Sequence, residues 1–597
     1  MNAPASIEAV LASLQPREAA SHDFRPRAFR AWVADLPLAN VAETGRRVHA
    51  ALLEMNRTRL PADERLELLR MLARPVEEVT AAVRRHFVGR PLPLPERGRK
   101  AARVAIELAR QMALGFELAA REAVRGRGSQ LAAPAAHGAL EQLGRALLTV
   151  YQAYAPPPPE LWRSLHRVYG LAEAHGLTEL PASGPGRRAT DVTATAGAAY
   201  KRLLLLSLAC PYRMRQGEVR AVYEALAEWA ADARLEPLGD PVRQEGLFVV
   251  HLDSDEPPRY RSLDRAACTP ASCRVLDAAP LGERLRGALA AVREEGDEPL
   301  VTGERLTASL LRRLVLNWGV MPRRGFTRAA SRTPADVLVG LSAIHQRLRR
   351  ERTPATEKGA GTPPQPVPGI EAVISGRAHF ETGLPQAGGV PDVWDLAFDA
   401  GPPSGSPRMV MIDEDREARR PEPEPEYPVH RCRVEDISPA GYRIHCEPGG
   451  EGELQLQVGE LLAVREEGEK RWQLAAVRWA KCLSEGRLDV GVQVLFPDAE
   501  PGYARRQEAG APWVPVLIVP EVPSVQQPAS LLAPPFALRH TEVVSLRGLS
   551  GRPRPVRLAR TVENTGCFAH YHYAAAGGEE GGTSGGEDDL DSLWGSL

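Results

Sequence analysis

Between residues 434 and 444 the chain reads Val-Glu-Asp-Ile-Ser-Pro-Ala-Gly-Tyr-Arg-Ile, and this stretch restricts the possible folds more than any other. Apolar and polar residues alternate on both sides of a Pro-Ala-Gly break, with Tyr442, Ile444 and Cys446 on one face. Period-two alternation around a Pro/Gly turn predicts a β-hairpin. Short strands are expected at 430–436, 442–446, 453–458, 461–466, 473–481 and 488–495, separated by turns bearing Gly, Pro and Glu. Such a series predicts a small barrel or sandwich over residues 429–500.

The rest of a 597-residue chain needs further cores, three or four domains in all. Residues 1–25 are expected to be a flexible lead-in, and 26–240 a helical domain. There Asn40 precedes Val41, Val48, Leu52 and Met55 at helical spacing, and Pro61-Ala62-Asp63-Glu64 opens a helix lined by Leu66, Leu69, Leu72 and Val76. Trp162, Leu165 and Tyr169 share a later helix, but no clean repeat follows, so a generic bundle is expected. Residues 241–351 mix short strands (247–252, 275–276, 337–340) with helices at 281–292, 306–318 and from Ser342. Residues 352–428 are rich in Pro, Gly and Glu and are expected to be a linker, ending in the extended Pro-Glu run 421–426. A small β unit is expected over 501–573, and a disordered acidic, Gly-rich tail over 574–597. The fold class is multidomain α+β: a large α-helical N-terminal region, a small mixed α/β middle part, then a C-terminal β-barrel with a short β extension.

Several functions are disfavoured. A net charge of -1 gives no general attraction to nucleic acid or anionic lipid. No apolar run approaches the about 20 residues that span a bilayer, and Met1-Asn2-Ala3-Pro4-Ala5-Ser6 does not open a secretion signal. Seven scattered cysteines make a poor disulfide framework and suggest a reducing, cytoplasmic setting. Cys268 and Cys273 are the closest pair, yet no second Cys/His pair nearby completes a metal site, and Asp253 and Asp255 read as turn acids rather than cation ligands. Gly340-Leu341-Ser342-Ala343-Ile344-His345 lacks the second glycine of a nucleophile elbow. With no P-loop, dinucleotide glycines or triad, no catalytic residue and no cofactor are expected, and the chain is not expected to be an enzyme.

Asp436, Ser438 and Gly441 form D-x-S-x-x-G, followed in order by Gly459-Glu460-Leu461-Leu462-Ala463-Val464, Val477-Arg478-Trp479 and Val490-Gly491-Val492-Gln493-Val494. This series, over roughly residues 421–500, resembles PilZ domains, the small β-barrels that bind cyclic di-GMP in bacteria. The resemblance implies a receptor in which Asp436 accepts the N1–H and N2–H₂ donors of a guanine edge. Ser438 would contact a base or the backbone, and Gly441 would let the turn approach a flat ring. It also implies an R-x-x-x-R segment just before the barrel, gripping phosphate and stacking on guanine. Arg416-Glu417-Ala418-Arg419-Arg420 fits that pattern, although it lies closer to Asp436 than is usual and among acidic neighbours. Arg431 and Arg433 are secondary candidates. The expected partners are cyclic di-GMP as regulatory ligand and an unidentified protein reached through the helical region, without nucleic acid or membrane insertion. The alternative is an adaptor whose barrel no longer binds nucleotide.

Overall fold

The computed structural model describes residues 7–126, 129–182, 194–239, 246–264, 266, 268–295, 301–302, 304–319, 327–352, 427–447, 454–483, 486–508, 510–523, 526–549 and 551–576. The chain forms two compact units, one running mainly to Pro322 and the other mainly from Arg323.

The first unit opens with helices α1 (Ile7–Ala12), α2 (Pro26–Ala34), α3 (Val41–Met55), α4 (Ala62–Arg84), α5 (Glu96–Arg125) and α6 (Ser129–Gln152). Asn40 caps α3 by accepting from the Glu43 N–H at 3.1 Å. The expected faces are the buried ones: Val48, Leu52 and Met55 on α3, and Leu66, Leu69, Leu72 and Val76 on α4. Arg65 is buried beside them and donates to the carbonyls of Met55, the last residue of α3, and of Thr58 in the turn that follows. Its burial lowers its pKa to about 10. Residues 7–25 are not a loose lead-in: Phe24 is fully buried, and the Ser21 hydroxyl donates to Glu54 of α3.

Next come α7 (Leu161–Ala174), α8 (Ala196–Leu208) and α9 (Gln216–Trp229). Trp162, Leu165 and Tyr169 serve the bundle core, with Tyr169 stacked on Tyr200 at 4.1 Å between ring centroids. Buried Glu117 of α5 ties α7 in place, receiving two bonds from Arg167 at 2.8 and 2.9 Å.

Strands β1 (Arg234–Pro237), β2 (Leu247–His251), β3 (Arg259–Tyr260) and β4 (Cys273–Asp277) form an antiparallel sheet in the order β1-β4-β2-β3. Helix α10 (Ala279–Glu295), the short pair β5 (Val301–Thr302) and β6 (Glu304–Arg305), and α11 (Ala308–Gly319) complete the unit. A sheet this small cannot enclose a core of its own. Phe248, Val250 and Leu276 therefore join Leu310, Leu314 and Trp318 in the core of the helical bundle.

The second unit takes the remainder of the expected 241–351 region. Its strands are β7 (Ala329–Ala330), β8 (Pro334–Val339), β9 (His430–Ser438), β10 (Gly441–Cys446), β11 (Leu461–Glu466), β12 (Gln473–Cys482) and β13 (Leu488–Phe496). The pairing order is β10-β13-β12-β11-β8-β9-β7, and β9 also pairs with β10, which closes the ring. Strand β8 is thus an integral stave, lying between β9 and β11. The strand expected at 453–458 is not formed, because residues 454–459 run as a connection that turns at Gly459 (φ 89°) into β11.

Helix α12 (Leu341–Arg352) follows β8 through Gly340, and its Leu341, Ile344 and Leu348 pack with Trp472, Phe496 and Leu517. The last β unit is a closed six-stranded barrel of β14 (Glu500–Arg506), β15 (Val514–Val519), β16 (Ser530–Ala533), β17 (Val543–Gly548), β18 (Arg554–Asn564) and β19 (Ala569–Ala575). Strands β14 and β16 go beyond the sequence expectation, and the ring needs both for closure.

The cysteines also depart from expectation, because two pairs of sulfurs stand at bonding distance: Cys268 with Cys273 and Cys432 with Cys446. A β-bulge creates the second pair. Pairing matches Asp436 with Arg443, then shifts by one residue, so that Val434 faces Ile444 and Arg433 faces His445. The next residues outward are Cys432 and Cys446; without the shift Cys446 would oppose Arg433. The expected tail starts too early at 574, because Ala574 and Ala575 pair with Arg557 and Val556 as the end of β19. Its remainder, 577–597, and nearly all of the expected linker, 353–426, lie outside the described residues.

Asp255 supports the first unit directly. Its carboxylate accepts from the N–H groups of Glu160 and Arg163 at 2.6 and 2.9 Å, capping α7 from a distant segment. Asp255→Ala is expected to cost about 0.5–2 kcal/mol, read as a lower denaturant midpoint at unchanged slope. An unchanged midpoint would contradict the cap.

Candidate functional site

The hairpin β9–β10 turns through Pro439 and Ala440, with Ser438 opposite Gly441. The Ser438 hydroxyl donates to the Gly441 carbonyl at 3.2 Å, and the Ala440 carbonyl accepts from Val494 N–H on β13 at 3.0 Å. These bonds hold the turn against the barrel wall. Gly441 is required by a neighbouring strand whether or not a ligand is bound: a Cβ there would sit 2.0 Å from the Val492 carbonyl oxygen. The glycine permits β10 and β13 to approach each other.

Strand β7 pairs with the end of β9, Ala329 opposite Ile437 and Ala330 opposite Asp436. The preceding residue, Arg328, consequently meets Asp436, Nη1 to Oδ1 at 2.8 Å. The two side chains are 46% and 21% exposed, so the pair lies at a surface lip rather than in the core. Beside it opens a cavity of about 500 Å³, lined among others by Thr327, Arg328, Ile437, Ser438, Tyr442 and Gln473. The hollow is more open to solvent than enclosed. The Tyr442 hydroxyl donates to Gln473 Oε1 at 2.7 Å, and burial, with Glu466 nearby, pushes its pKa up to about 12. It remains a neutral hydroxyl at physiological pH.

Of the residues singled out in the sequence, Asp436, Ser438 and Gly441 share this turn. Arg416 and Arg420 lie outside the described residues. Arg431 is held by Asp336 at 3.0 Å and Glu467 at 2.8 Å, and Arg433 by Glu435 at 2.6 Å. Arg443, opposite Asp436 in register, binds Asp489 at 2.6 Å, as does buried His445 at 2.7 Å. Burial alone would raise the pKa of Asp489, but these two bonds outweigh it and hold the carboxyl below its usual range. His345 is a core residue whose Nε2 is bonded to the Gly502 carbonyl at 2.9 Å.

Arg328 is the residue the sequence reasoning missed. A signal existed: Arg324-Gly325-Phe326-Thr327-Arg328 is also an R-x-x-x-R run, and it lies just ahead of the apolar strand Val337-Leu338-Val339. Arg324 lies outside the described residues.

Family comparisons match the chain in three consecutive pieces. These are the N-terminal domain of the cyclic-di-GMP receptor FimW over residues 27–241, its middle PilZ domain over 247–501 and its C-terminal β-barrel domain over 503–576. The middle match opens well ahead of the 352–428 segment, as does the sheet that carries β7 and β8. The cyclic-di-GMP receptor FimW of Pseudomonas aeruginosa is 29% identical over 613 residues, covering 96% of each chain.

Since the space above Gly441 is filled by backbone, Gly441→Ala is expected to destabilise the second unit by about 1–3 kcal/mol in the absence of any ligand. Thermal unfolding of the ligand-free protein measures this. A variant as stable as wild type would show that the approach of β10 to β13 does not depend on a glycine there.

Proposed function

The chain belongs to the PilZ domain-containing proteins with a large helical N-terminal region, and from that premise we propose that it is a receptor for cyclic di-GMP. One observation carries the reading: the Arg328–Asp436 pair at the lip of the cavity beside D-x-S-x-x-G. Asp436 accepts the paired donors of a guanine edge, Arg328 donates to a phosphate, and Ser438 contributes its hydroxyl. The ligand thereby offers each member of the ion pair a new partner of suitable charge.

Magnitudes favour the exchange. An ion pair this exposed contributes about 0–1 kcal/mol, so little is lost when it opens. Arg324 and Arg328 then supply the R-x-x-x-R grip, with Arg416 and Arg420 as the competing source. Arg431, shared between two carboxylates, and Arg433, which does not line the hollow, are weaker candidates. We take the nucleotide-binding domain to be 327–352 together with 427–496, interrupted by the linker. The helical region would relay occupancy to a protein partner in the cytoplasm; among the described residues no helix is long and apolar enough to cross a membrane. The adaptor alternative draws on the same ion pair, which satisfies both groups without any nucleotide.

Isothermal titration of the full chain with cyclic di-GMP separates these readings. Wild type is expected to bind in the micromolar range. Arg328→Ala and Asp436→Ala should each weaken binding at least about tenfold, or 1.4 kcal/mol, while Arg416→Ala and Arg420→Ala stay close to wild type. Absence of heat from wild type would establish the adaptor reading. Loss in Arg420→Ala but not in Arg328→Ala would move the phosphate grip into the linker.

A further inference from the structure

Within the first unit, β2 ends at His251 and β4 begins at Cys273, and these two residues are opposite each other in the sheet. A tight turn, in which the N–H groups of Ser272 and Cys273 both donate to the Thr269 carbonyl, folds Cys268 back onto Cys273. His251 Nδ1 lies 3.3 Å from Cys273 Sγ, and the donor atoms of His251, Cys268 and Cys273 all lie within 4.8 Å of one another. On the other side of the ring, His251 Nε2 is 2.9 Å from Asp264 Oδ2, on a carboxylate side chain only 6% exposed.

The carboxylate determines the tautomer. An ionised carboxylate only accepts, so Nε2 carries a proton, and in the neutral form of the ring Nδ1 presents its lone pair to the two sulfurs. A lone pair facing two bonded sulfurs meets no donor there. Facing two thiolates, it completes three corners of a tetrahedral, sulfur-rich coordination shell. A carboxylate behind the ring is also the arrangement that orients metal-binding histidines. The Cys-His-Asp sequence of contacts does not suit a nucleophile, because Cys273 is fully buried.

We propose that in the reduced chain Cys268, Cys273 and His251 Nδ1 bind one zinc ion, with Asp264 as the positioning residue and water in the fourth place. Sulfur donors select zinc over magnesium or calcium. Binding exchanges two thiol protons, released to solvent, for the metal, with no electron transferred. The sulfurs must then move apart to about 3.8 Å, the span set by two Zn–S bonds of about 2.3 Å at a tetrahedral angle. The ion would clip the connection between β3 and β4 to the end of β2. The site is independent of the nucleotide reading.

The full chain, purified with a phosphine reductant and no chelator, is expected to carry about one zinc per chain by elemental analysis. Replacement by Co²⁺ should give thiolate-to-metal charge transfer and the intense visible bands of a tetrahedral site. His251→Ala and Cys268→Ser should lose the metal, and Cys432→Ser should keep it. Asp264→Asn, which retains all three ligands, should weaken zinc binding about 10–100-fold. A reduced wild-type chain that holds no zinc and gives no cobalt bands would overturn the site. So would an intact Cys268–Cys273 bond by mass spectrometry under those conditions, or unchanged zinc content in a folded His251→Ala. Should the variants fail to fold, the wild-type cobalt spectrum decides.

Discussion

Strand β9 is the element on which the second unit depends, because it pairs with β10 on one side and with both β8 and β7 on the other. Those hydrogen bonds close the ring of strands and, in the same act, carry Arg328 to Asp436 across 108 positions of sequence. The candidate site is therefore a product of sheet register. A one-residue slip of β7 along β9 would turn the arginine to the other face of the sheet.

The charges around β9 divide into engaged and exchangeable groups. Arg431 is held between two carboxylates and Arg443 shares Asp489 with His445, so a ligand would have to break several contacts to recruit either. Arg328 meets the Asp436 carboxylate at an exposed lip. Solvent screening keeps such a pair inexpensive to open. Arg433, exposed and held by Glu435, would be released as readily, and it is the place of Arg328 beside Ser438 in the lining of the hollow that separates the two.

Local patterns were legible in the sequence; long-range pairings were not. The faces of α3 and α4, the hairpin around Pro439 and most strands of the small barrel follow from periodicity within ten or so residues, which is the range over which helix and hairpin chemistry acts. Asp436 and Ser438 could be placed for the same reason. Strand β8 could be recognised as a buried strand but not assigned to its sheet, since its partners β9 and β11 lie beyond the Pro/Gly/Glu-rich segment. The literal R-x-x-x-R at 416–420 stands out by its nearness in sequence to Asp436, whereas Arg328 owes its nearness to strand pairing. The bulge at Glu435 was equally hidden, and with it the meeting of Cys432 and Cys446.

The two cysteine pairs look alike as sulfur contacts and differ in what surrounds them. Cys432 and Cys446 oppose each other across a hairpin, both buried on the inward face alternating with exposed Arg431 and Arg433. Cys268 and Cys273 bracket a turn that sets them beside a ring nitrogen, and a buried carboxylate fixes which nitrogen keeps its proton. A cross-strand thiol pair can be formed by register alone, since opposed residues in a sheet are close whatever their chemistry. Asp264 lies beyond β3, outside the strands that set His251 opposite Cys273, and still reaches the far side of the ring at 2.9 Å. A buried acid has to be matched by a donor, and here that donor is the far side of an imidazole whose other nitrogen lies against the Cys273 sulfur.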